Sequence, residues 1–281
     1  MHLTQFPDIE WLRTQAKNNF QNGKGVNNSP LAQKGWPSVV LNTNSYGAER
    51  NGIKGPFSIF LNLTGSSIVK SGHKSVKLTA DNLCIVNKGD FYDLTIPEGS
   101  RTDTFNIHFG DQLYNEVLKL NSQTTAQLLD NPISYSDAHI ESPTRSVWKT
   151  DQVNQHILSL QQYYASDDKQ EDNEYSLLGS LLSTILGHQH DDVIKRDQID
   201  SQKKATRLEL LSRISSSVDY IHAHYNETIN LDTLAAVACL SKYHYLRTFK
   251  AIHNCTPQQL VAQLRFEKAV SMLKHSKAPI M

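Results

Sequence analysis

Cysteine and long apolar stretches are scarce in this sequence of 281 residues. Its three cysteines, Cys84, Cys239 and Cys255, form no CxxC pair, so neither a disulfide framework nor a cysteine zinc site is predicted. No apolar run approaches the roughly 18 residues of a membrane-spanning helix. The N-terminal residues "MHLTQFPDIEWLR" also lack the apolar core of a signal peptide. We therefore expect a protein of the reducing cytoplasm with no membrane partner.

Net charge is absent as well, because 28 Lys and Arg balance 28 Asp and Glu. The balance conceals an uneven distribution. Residues 195–281 carry 13 Lys and Arg against 7 Asp and Glu, which leaves 15 against 21 in residues 1–194. A basic tail on an acidic partner domain points mildly to nucleic-acid binding, and chance unevenness in a neutral protein explains it equally well.

Short β-like runs follow one another between Pro37 and Phe109, after a polar segment, residues 1–36, that we interpret as an arm with little regular structure. Many of the runs alternate apolar with polar residues, and Gly, Asn and Asp separate them. Several short strands with frequent turns predict an all-β sandwich or barrel. The runs are "SVVLNT", "FSIFLNL", "SIVKSG", "SVKLTA", "NLCIVNK", "FYDLTI" and "TDTFNIHF".

Helical periodicity replaces the β pattern after Gly110. The runs "DQLYNEVLKL", "DQVNQHILSLQQYYA" and "NEYSLLGSLLSTILGHQH" predict helices within residues 113–190. We expect the acidic stretch 166–174 to be a solvated loop and residues 191–206 to be a linker between two domains. The apolar face of "LLGSLLSTIL" is either the seam of a homodimer or a surface buried against the β region of its own chain.

The most informative stretch is "NLDTLAAVACLSKYHYLRTFKAI", which reads as a helix, a short turn and a second helix. Asn230 is placed to cap the first helix and Ser241 the second. In the second helix, Tyr245, Phe249 and Ile252 share a face that should point into the core. A separate outward stripe holds Tyr243, Leu246, Arg247 and Lys250.

The residues "LAAVACLSKYHYLRTFKAIHNCTPQQLVAQLRFEKAVSMLK" resemble the AraC/XylS family of bacterial transcription regulators. The shared features are the helix-turn-helix, then "TPQQL" opening a long helix, then "LRFEKAVSML", and they cover residues 208–280. The resemblance implies an α+β protein of two domains. Residues 37–112 would form a cupin-like sensor barrel, a jelly roll, followed by helices, and residues 207–281 an all-α DNA-binding region.

The resemblance also implies which residues meet DNA. Tyr243, Leu246 and Arg247 occupy the positions from which family members read bases, and Lys242 and Lys250 would contact phosphates. An Arg side chain can donate to both acceptors of a guanine. Leu246 stands where many relatives have a polar residue. As a leucine, it can make only apolar contact with a base. The alternatives are a solvated face for the two lysines and partly buried packing for Tyr243.

One turn residue departs from the family pattern. Cys239 stands where the family often has glycine, and a positive φ there would strain it. We expect its side chain to be a buried turn residue rather than a redox sensor.

A small-molecule effector is implied for the barrel, whose interior could hold one ligand. The aromatic residues that we would search first are Trp36, Tyr46, Phe60, Tyr92 and His108, and plain core packing is the alternative for each.

Enzyme chemistry has little support in the residues. Cupin metalloenzymes carry an HxH pattern, whereas His73 and His108 stand alone in the β region. The HxH of His188 and His190 falls at a predicted helix end, where a solvated terminus is the simpler interpretation. We therefore predict no enzyme, no metal and no cofactor. Two alternatives stay open: a cupin-type metalloenzyme or binding protein with a non-functional helical tail, and a regulator that acts only through heterodimers.

The last residues, "HSKAPIM", look like the end of a linking helix and the start of a connection. In the family a second helix-turn-helix follows such a connection, so we expect a sequence truncated before it. The alternative is a protein that works with one reading head per chain. One reading head forfeits part of the phosphate contacts, which predicts weak DNA binding. The partners expected are promoter DNA, an unknown effector, a second copy of the chain and, as a further candidate, RNA polymerase.

Overall fold

The computed structural model describes residues 1–12, 14, 35–122, 144–167, 169–196 and 204–275. The chain divides into two compact units, Met1–Asp191 and Asp192–Met281. Sheets dominate the first unit and helices form the second, so the predicted α+β class is confirmed. Among the described residues, no helix combines the length and the apolar character that crossing a membrane requires.

Ten strands among the described residues of the first unit form two sheets. One sheet has six strands in the order β1-β2-β9-β4-β7-β10, and the other has four in the order β3-β8-β5-β6. Every pairing is antiparallel except that of β1 with β2. The strands are β1 His2–Leu3, β2 Val39–Ser45, β3 Ala48–Lys54, β4 Ser58–Thr64, β5 Ser67–Ser71, β6 Lys74–Leu78, β7 Asn82–Val86, β8 Phe91–Ile96, β9 Thr102–His108 and β10 Arg145–Trp148.

The six-stranded sheet is covered on both faces. In β7, Leu83 and Ile85 pack into the cluster formed with the helices, whereas Cys84 and Val86 join the cluster shared with the four-stranded sheet. Successive side chains of a strand point to opposite faces, so a strand covered on both sides is apolar throughout. This explains why "NLCIV" is buried along its whole length.

Three helices pack on the outer face of the six-stranded sheet: α1 Asp111–Ser122, α2 Asp151–Ala165 and α3 Glu171–Arg196. The apolar face of "LLGSLLSTIL" belongs to α3, and its Leu178, Leu181 and Ile185 are buried in this cluster within one chain. Of the two interpretations of that face, burial against the chain's own β region is therefore the one observed. The homodimer stays a prediction that needs another surface.

Two elements of this unit were not foreseen from the sequence. The segment 1–36 was expected to be an arm with little regular structure, and in its described part His2–Leu3 pairs with Val40–Leu41 as an edge strand and residues 9–12 are helical. The helical region 113–190 contains a strand, Arg145–Trp148, because this segment completes the sheet beside β7. A strand of four residues is too short for the alternation of apolar and polar residues to predict it.

The second unit contains four helices among its described residues: α4 Lys204–His224, α5 Leu231–Val237, α6 Lys242–His253 and α7 Pro257–His275. The predicted linker 191–206 overlaps the end of α3 and the beginning of α4, and residues 197–203 within it lie outside the described residues. Thr256 caps α7: its Oγ1 accepts from the Gln259 amide at 3.2 Å, and its own amide donates to the Gln259 side chain at 2.8 Å.

The helical spacing of Leu260, Leu264 and Met272 in the sequence predicts that all three point inward from α7, and this prediction is only partly correct. Leu264 is buried and Leu260 is half-buried, but Met272 is 57% exposed. Nothing among the described residues covers the second half of α7 at this position. The residues that follow His275 in "HSKAPIM" lie outside the described part of the chain.

Candidate functional site

The helix-turn-helix is built from α5, α6 and the residues that join them. Asn230 caps α5, since its Oδ1 accepts from the Thr233 amide at 2.8 Å. Ser241 caps α6, where its Oγ accepts from the His244 amide at 3.4 Å. Both caps agree with the sequence-based expectation.

The turn reverses the chain at Cys239, which has a φ of 50°. Its amide donates to the Ala236 carbonyl and the Leu240 amide donates to the Ala235 carbonyl, each at 3.0 Å, so the last carbonyls of α5 are satisfied. Arg213 of α4 donates to the Cys239 carbonyl at 2.9 Å, and this hydrogen bond connects the turn to α4. The cysteine side chain is exposed, so the expectation of a buried turn residue was wrong.

The inner face of α6 fixes the orientation of the helix. Tyr245 and Phe249 are fully buried, and their rings lie 5.6 Å apart. The Tyr245 hydroxyl donates to Ser217 Oγ of α4 at 3.1 Å. Burial raises the pKa of Tyr245 to about 12, so the hydroxyl keeps its hydrogen at neutral pH. With this face anchored, the opposite face of α6 is turned outward.

The outer face of α6 carries the residues predicted to contact DNA. Tyr243 is 77% exposed, and Arg247 and Lys250 are exposed as well. Neither of these two cations forms an ion pair with any described residue. Lys242 is also exposed and pairs with Asp232 of α5. Leu246 is half-buried at the edge of this face. The structure thus places four of the five predicted residues on one open surface.

A cavity of about 90 Å³ lies between the two sheets of the first unit. Its wall is mostly apolar, and the N-terminal residues Phe6, Pro7, Trp11 and Leu12 contribute to it. This segment was expected to be an arm with little regular structure, and its described residues form one side of the cavity. The sheets contribute Leu41, Phe60 and His108 on one side and Ile53, Tyr92 and Leu94 on the other.

Four of the five residues predicted to bind a ligand, Trp36, Phe60, Tyr92 and His108, line this cavity. Tyr46 does not, because it lies in the turn between β2 and β3 and is 65% exposed. A turn tip is the usual place for an exposed side chain, and the neighbouring Ser45 and Gly47 were the sequence signal for this turn. The placement of the other four leaves their binding role a prediction.

His108 is a neutral polar group in the cavity wall. Its Nδ1 lies 2.8 Å from Ser58 Oγ, and the Ser58 hydroxyl donates to the Pro56 carbonyl at 2.8 Å. Because that hydroxyl has one hydrogen, the imidazole Nδ1 donates to Ser58. Burial lowers the pKa of His108 to about 4, so the ring is uncharged at neutral pH. The other ring nitrogen, Nε2, is then an acceptor.

Three polar residues of the cavity wall were missed by the sequence analysis, Arg50, Lys54 and Asn106. Arg50 lies in "AERNGIK", a strand that no alternating pattern predicts. Asn106 lies in "TDTFNIHF" between buried apolar neighbours. A polar residue at an inward position of a strand was the available signal, because a buried amide must find hydrogen-bond partners.

The described residues contain no group of three His, Cys, Asp or Glu side chains that could hold a metal ion. The pair His188 and His190 belongs to α3, but it lies outside the residues whose side chains the structure describes.

A short helix, a tight turn and a capped second helix with an exposed cationic face define a helix-turn-helix protein. Two sequence relatives agree with that class. The HTH-type transcriptional regulator YdeC of Bacillus subtilis is 32% identical over 68 residues, 24% of this chain and 23% of the relative. The HTH-type transcriptional regulator YbfI of the same organism is 26% identical over 135 residues, 45% of this chain and 46% of the relative.

The chain spans less than half of the length of either of these curated relatives. No protein-family profile matches it. The two relatives are helix-turn-helix transcription regulators, the class to which the AraC/XylS family belongs, and they support the predicted resemblance to that family.

Solved structures of AraC-like regulators also resemble the chain, at low similarity. ToxT from Vibrio cholerae aligns with 81% of this chain and 98% of its own, at 10% identity and a TM-score of 0.38. ToxT with a bound unsaturated fatty acid gives 12% identity and a TM-score of 0.37 over 81% and 96%. The AraC-like activator CuxR gives 10% identity and a TM-score of 0.31 over 84% and 74%. Scores this low carry no conclusion about this chain.

Proposed function

We propose that the chain is a ligand-responsive, sequence-specific DNA-binding transcription regulator of the AraC type and that it catalyses no reaction. The helical unit binds promoter DNA, and the sheet-rich unit, cupin-like in our proposal, binds the effector. The observation that carries this proposal is the outer face of α6, where exposed cations lie on a helix whose opposite face is fully buried. Cytoplasmic location follows, since the DNA is there.

DNA reading is assigned to the N-terminal half of α6, inserted in the major groove. Arg247 is placed to donate to both acceptors of a guanine, a contact that contributes about 1–3 kcal/mol of base discrimination. Tyr243 offers a hydroxyl and an apolar ring, while Leu246 makes apolar contact at the edge. Each of these residues reads the base pair that the helix brings within its reach.

Phosphate contact is assigned to Lys242 and Lys250, which flank the reading residues. Lys250 is exposed and unpaired within the described part of the chain, so it is available to a phosphate without breaking another contact. Lys242 must first leave Asp232. The Lys242 and Asp232 side chains are both exposed, and an exposed ion pair contributes about 0–1 kcal/mol. A phosphate can therefore displace Asp232 easily.

The effector is assigned to the cavity between the sheets, where Trp36, Phe60, Tyr92 and His108 meet. A ligand changes DNA binding only if it binds the DNA-competent arrangement with a different affinity from the other arrangement. Dimer formation would double the number of reading heads on a site, and RNA polymerase contact would convert binding into activation. We include both as parts of the proposal.

Selection of DNA from a random-sequence library by the purified full chain tests this function. We expect a short consensus to be enriched by the wild-type protein and lost with Arg247→Ala. A matched control is Lys77→Gln, which removes an exposed charge from β6. Enrichment of no consensus by the wild-type protein would overturn the proposal. Stoichiometric iron, manganese or zinc in the purified protein would favour the alternative, a cupin-type metalloenzyme.

A further inference from the structure

We infer that the effector is a carboxylate with an apolar body, and that Arg50 and Asn106 hold its carboxylate group in the cavity. The inference rests on the proposed function, because it names the ligand class of the same cavity. It is carried by hydrogen-bond donors that are buried in the cavity wall and have no partner.

Arg50 is the first of these donors. Its Nη2 donates to the Pro7 carbonyl, and its guanidinium carbon lies 5.3 Å from the centre of the Phe6 ring. Its Nε is buried and has no hydrogen-bond partner. The carboxylate of Asp8 is close enough to act electrostatically on Arg50, but it accepts from the Trp11 amide at 2.7 Å and forms no ion pair with Arg50 among the described residues. A cationic donor left open in an apolar wall favours an anion.

A β-bulge aims Arg50 into the cavity. The register of β3 against β8 shifts between Arg50 and Ile53, and Gly52 within the bulge has a φ of 65°. Residues three apart in a regular strand point to opposite faces, yet both Arg50 and Ile53 line the cavity. Bulges re-aim side chains at functional sites in this way. The bulge explains why a charged residue lies on the inner side of the four-stranded sheet.

Asn106 is the second donor. It is 1% exposed, and its Oδ1 accepts from the Leu61 amide at 3.3 Å, which fixes the orientation of the side-chain amide. Its Nδ2 is buried without a partner. A buried N–H without an acceptor is unfavourable, so a ligand that supplies an acceptor would recover the lost hydrogen-bond free energy. A carboxylate has two acceptor oxygens and matches two open donors.

The remaining wall describes the rest of the ligand. Trp36, Phe60 and Tyr92 supply aromatic surface, and the rings of Phe60 and Tyr92 lie 4.8 Å apart. Besides Arg50, the wall contains one other cationic residue, Lys54. Its ammonium lies 5.2 Å from the centre of the Phe91 ring. One guanidinium with an unpartnered Nε matches the single charge of a carboxylate. An apolar body then fills the space between the rings.

Matched pairs of small ligands test the inference. Phenylacetate and hexanoate are titrated into the full chain against phenylacetamide and hexanamide, and binding is measured by calorimetry. We expect each carboxylate to bind at least about tenfold more tightly than its amide, because hydrogen bonds to charged groups are the stronger ones. Arg50→Gln should remove this preference, and Lys70→Gln, an exposed charge change in β5, should leave it unchanged.

Asn106→Asp is a second variant that does not depend on Arg50→Gln folding. Its Oδ1 can still accept from the Leu61 amide, but the open donor becomes an acceptor. We expect it to weaken carboxylate binding about tenfold or more and to leave amide binding nearly unchanged. Equal binding of carboxylates and amides by the wild-type protein overturns the inference and leaves the cavity a ligand site. Binding of neither series also overturns it, and the regulator proposal is then judged on DNA selection alone.

Discussion

The two units place their functional groups in opposite ways. The sheet-rich unit keeps its polar groups inside, where Arg50, Asn106 and His108 line an apolar cavity. The helical unit displays its groups outside, where Tyr243 and Arg247 stand on an open helix face. A buried group can contact only a ligand atom that enters the cavity at one position. An exposed group can contact a large, charged surface such as DNA. This contrast predicts where substitutions alter folding and where they alter binding alone.

The largest effect is expected on the inner face of α6. Phe249→Ala should lower the free energy of unfolding of the helical unit by about 3–5 kcal/mol, because it removes a fully buried ring and leaves a cavity. Urea denaturation followed by circular dichroism measures it. Tyr243→Ala, on the exposed face of the same helix, should change stability by less than about 0.5 kcal/mol. Equal losses from both variants would show that α6 does not have one buried and one open face.

The interior of the other unit should respond to pH through His108. Its pKa of about 4 lies below the usual 6.5, so the unfolded state binds more protons between these values. The contribution of His108 to the free energy of unfolding is therefore fully present above about pH 6.5. It is lost as the pH falls toward 4, by about 3 kcal/mol in total. Unfolding measured from pH 7 to pH 4 tests this. His108→Gln should flatten the profile, and an unchanged profile would place the titrating group elsewhere.

DNA affinity should respond most to the exposed arginine. Arg247→Ala is expected to weaken binding to a selected site by about 1–3 kcal/mol and to change non-specific binding little, because base contacts carry the sequence information. Fluorescence anisotropy with labelled duplexes measures both affinities. A uniform loss on all sequences would instead assign Arg247 to the phosphate backbone.

The smallest effect is expected from the exposed pair of Lys242 and Asp232. Asp232→Asn should change stability by less than about 1 kcal/mol, since exposed ion pairs contribute little. It should strengthen DNA binding slightly at low salt, because it removes a negative charge and releases Lys242 toward a phosphate. Fluorescence anisotropy at about 50 mM and about 200 mM salt would show the gain in DNA affinity. A large loss of stability would mean that the pair fixes the turn.

The sequence predicted the exposed surface better than the interior for a physical reason. The reading face of α6 follows from one helical period, so Tyr243, Arg247 and Lys250 could be placed together from local spacing. The cavity is assembled from the N-terminal segment and from strands that are distant in sequence. Local alternation identified most of the strands, but pairing decides which side chains meet. Tyr46 fell outside the cavity because it lies in the turn between β2 and β3.

The missed elements share a cause as well. The strand "AERNGIK" contains a bulge with a glycine at positive φ, so the alternation that marks a strand is broken at the point that aims Arg50 inward. The strand at Arg145–Trp148 is short and is formed by pairing with β7. In α7, the expectation that Met272 points inward followed helical spacing, but spacing does not show whether a neighbour is there to cover it.

The central claim is that α6 reads DNA sequence, and a salt titration of specific and non-specific binding tests it most directly. The full chain is titrated with its selected site and with a scrambled duplex at several salt concentrations. The account predicts tighter binding to the selected site at every concentration, with both affinities falling as salt rises because lysines release counterions from phosphates. Equal affinity for the two duplexes at every salt concentration, or no binding to either, would contradict it.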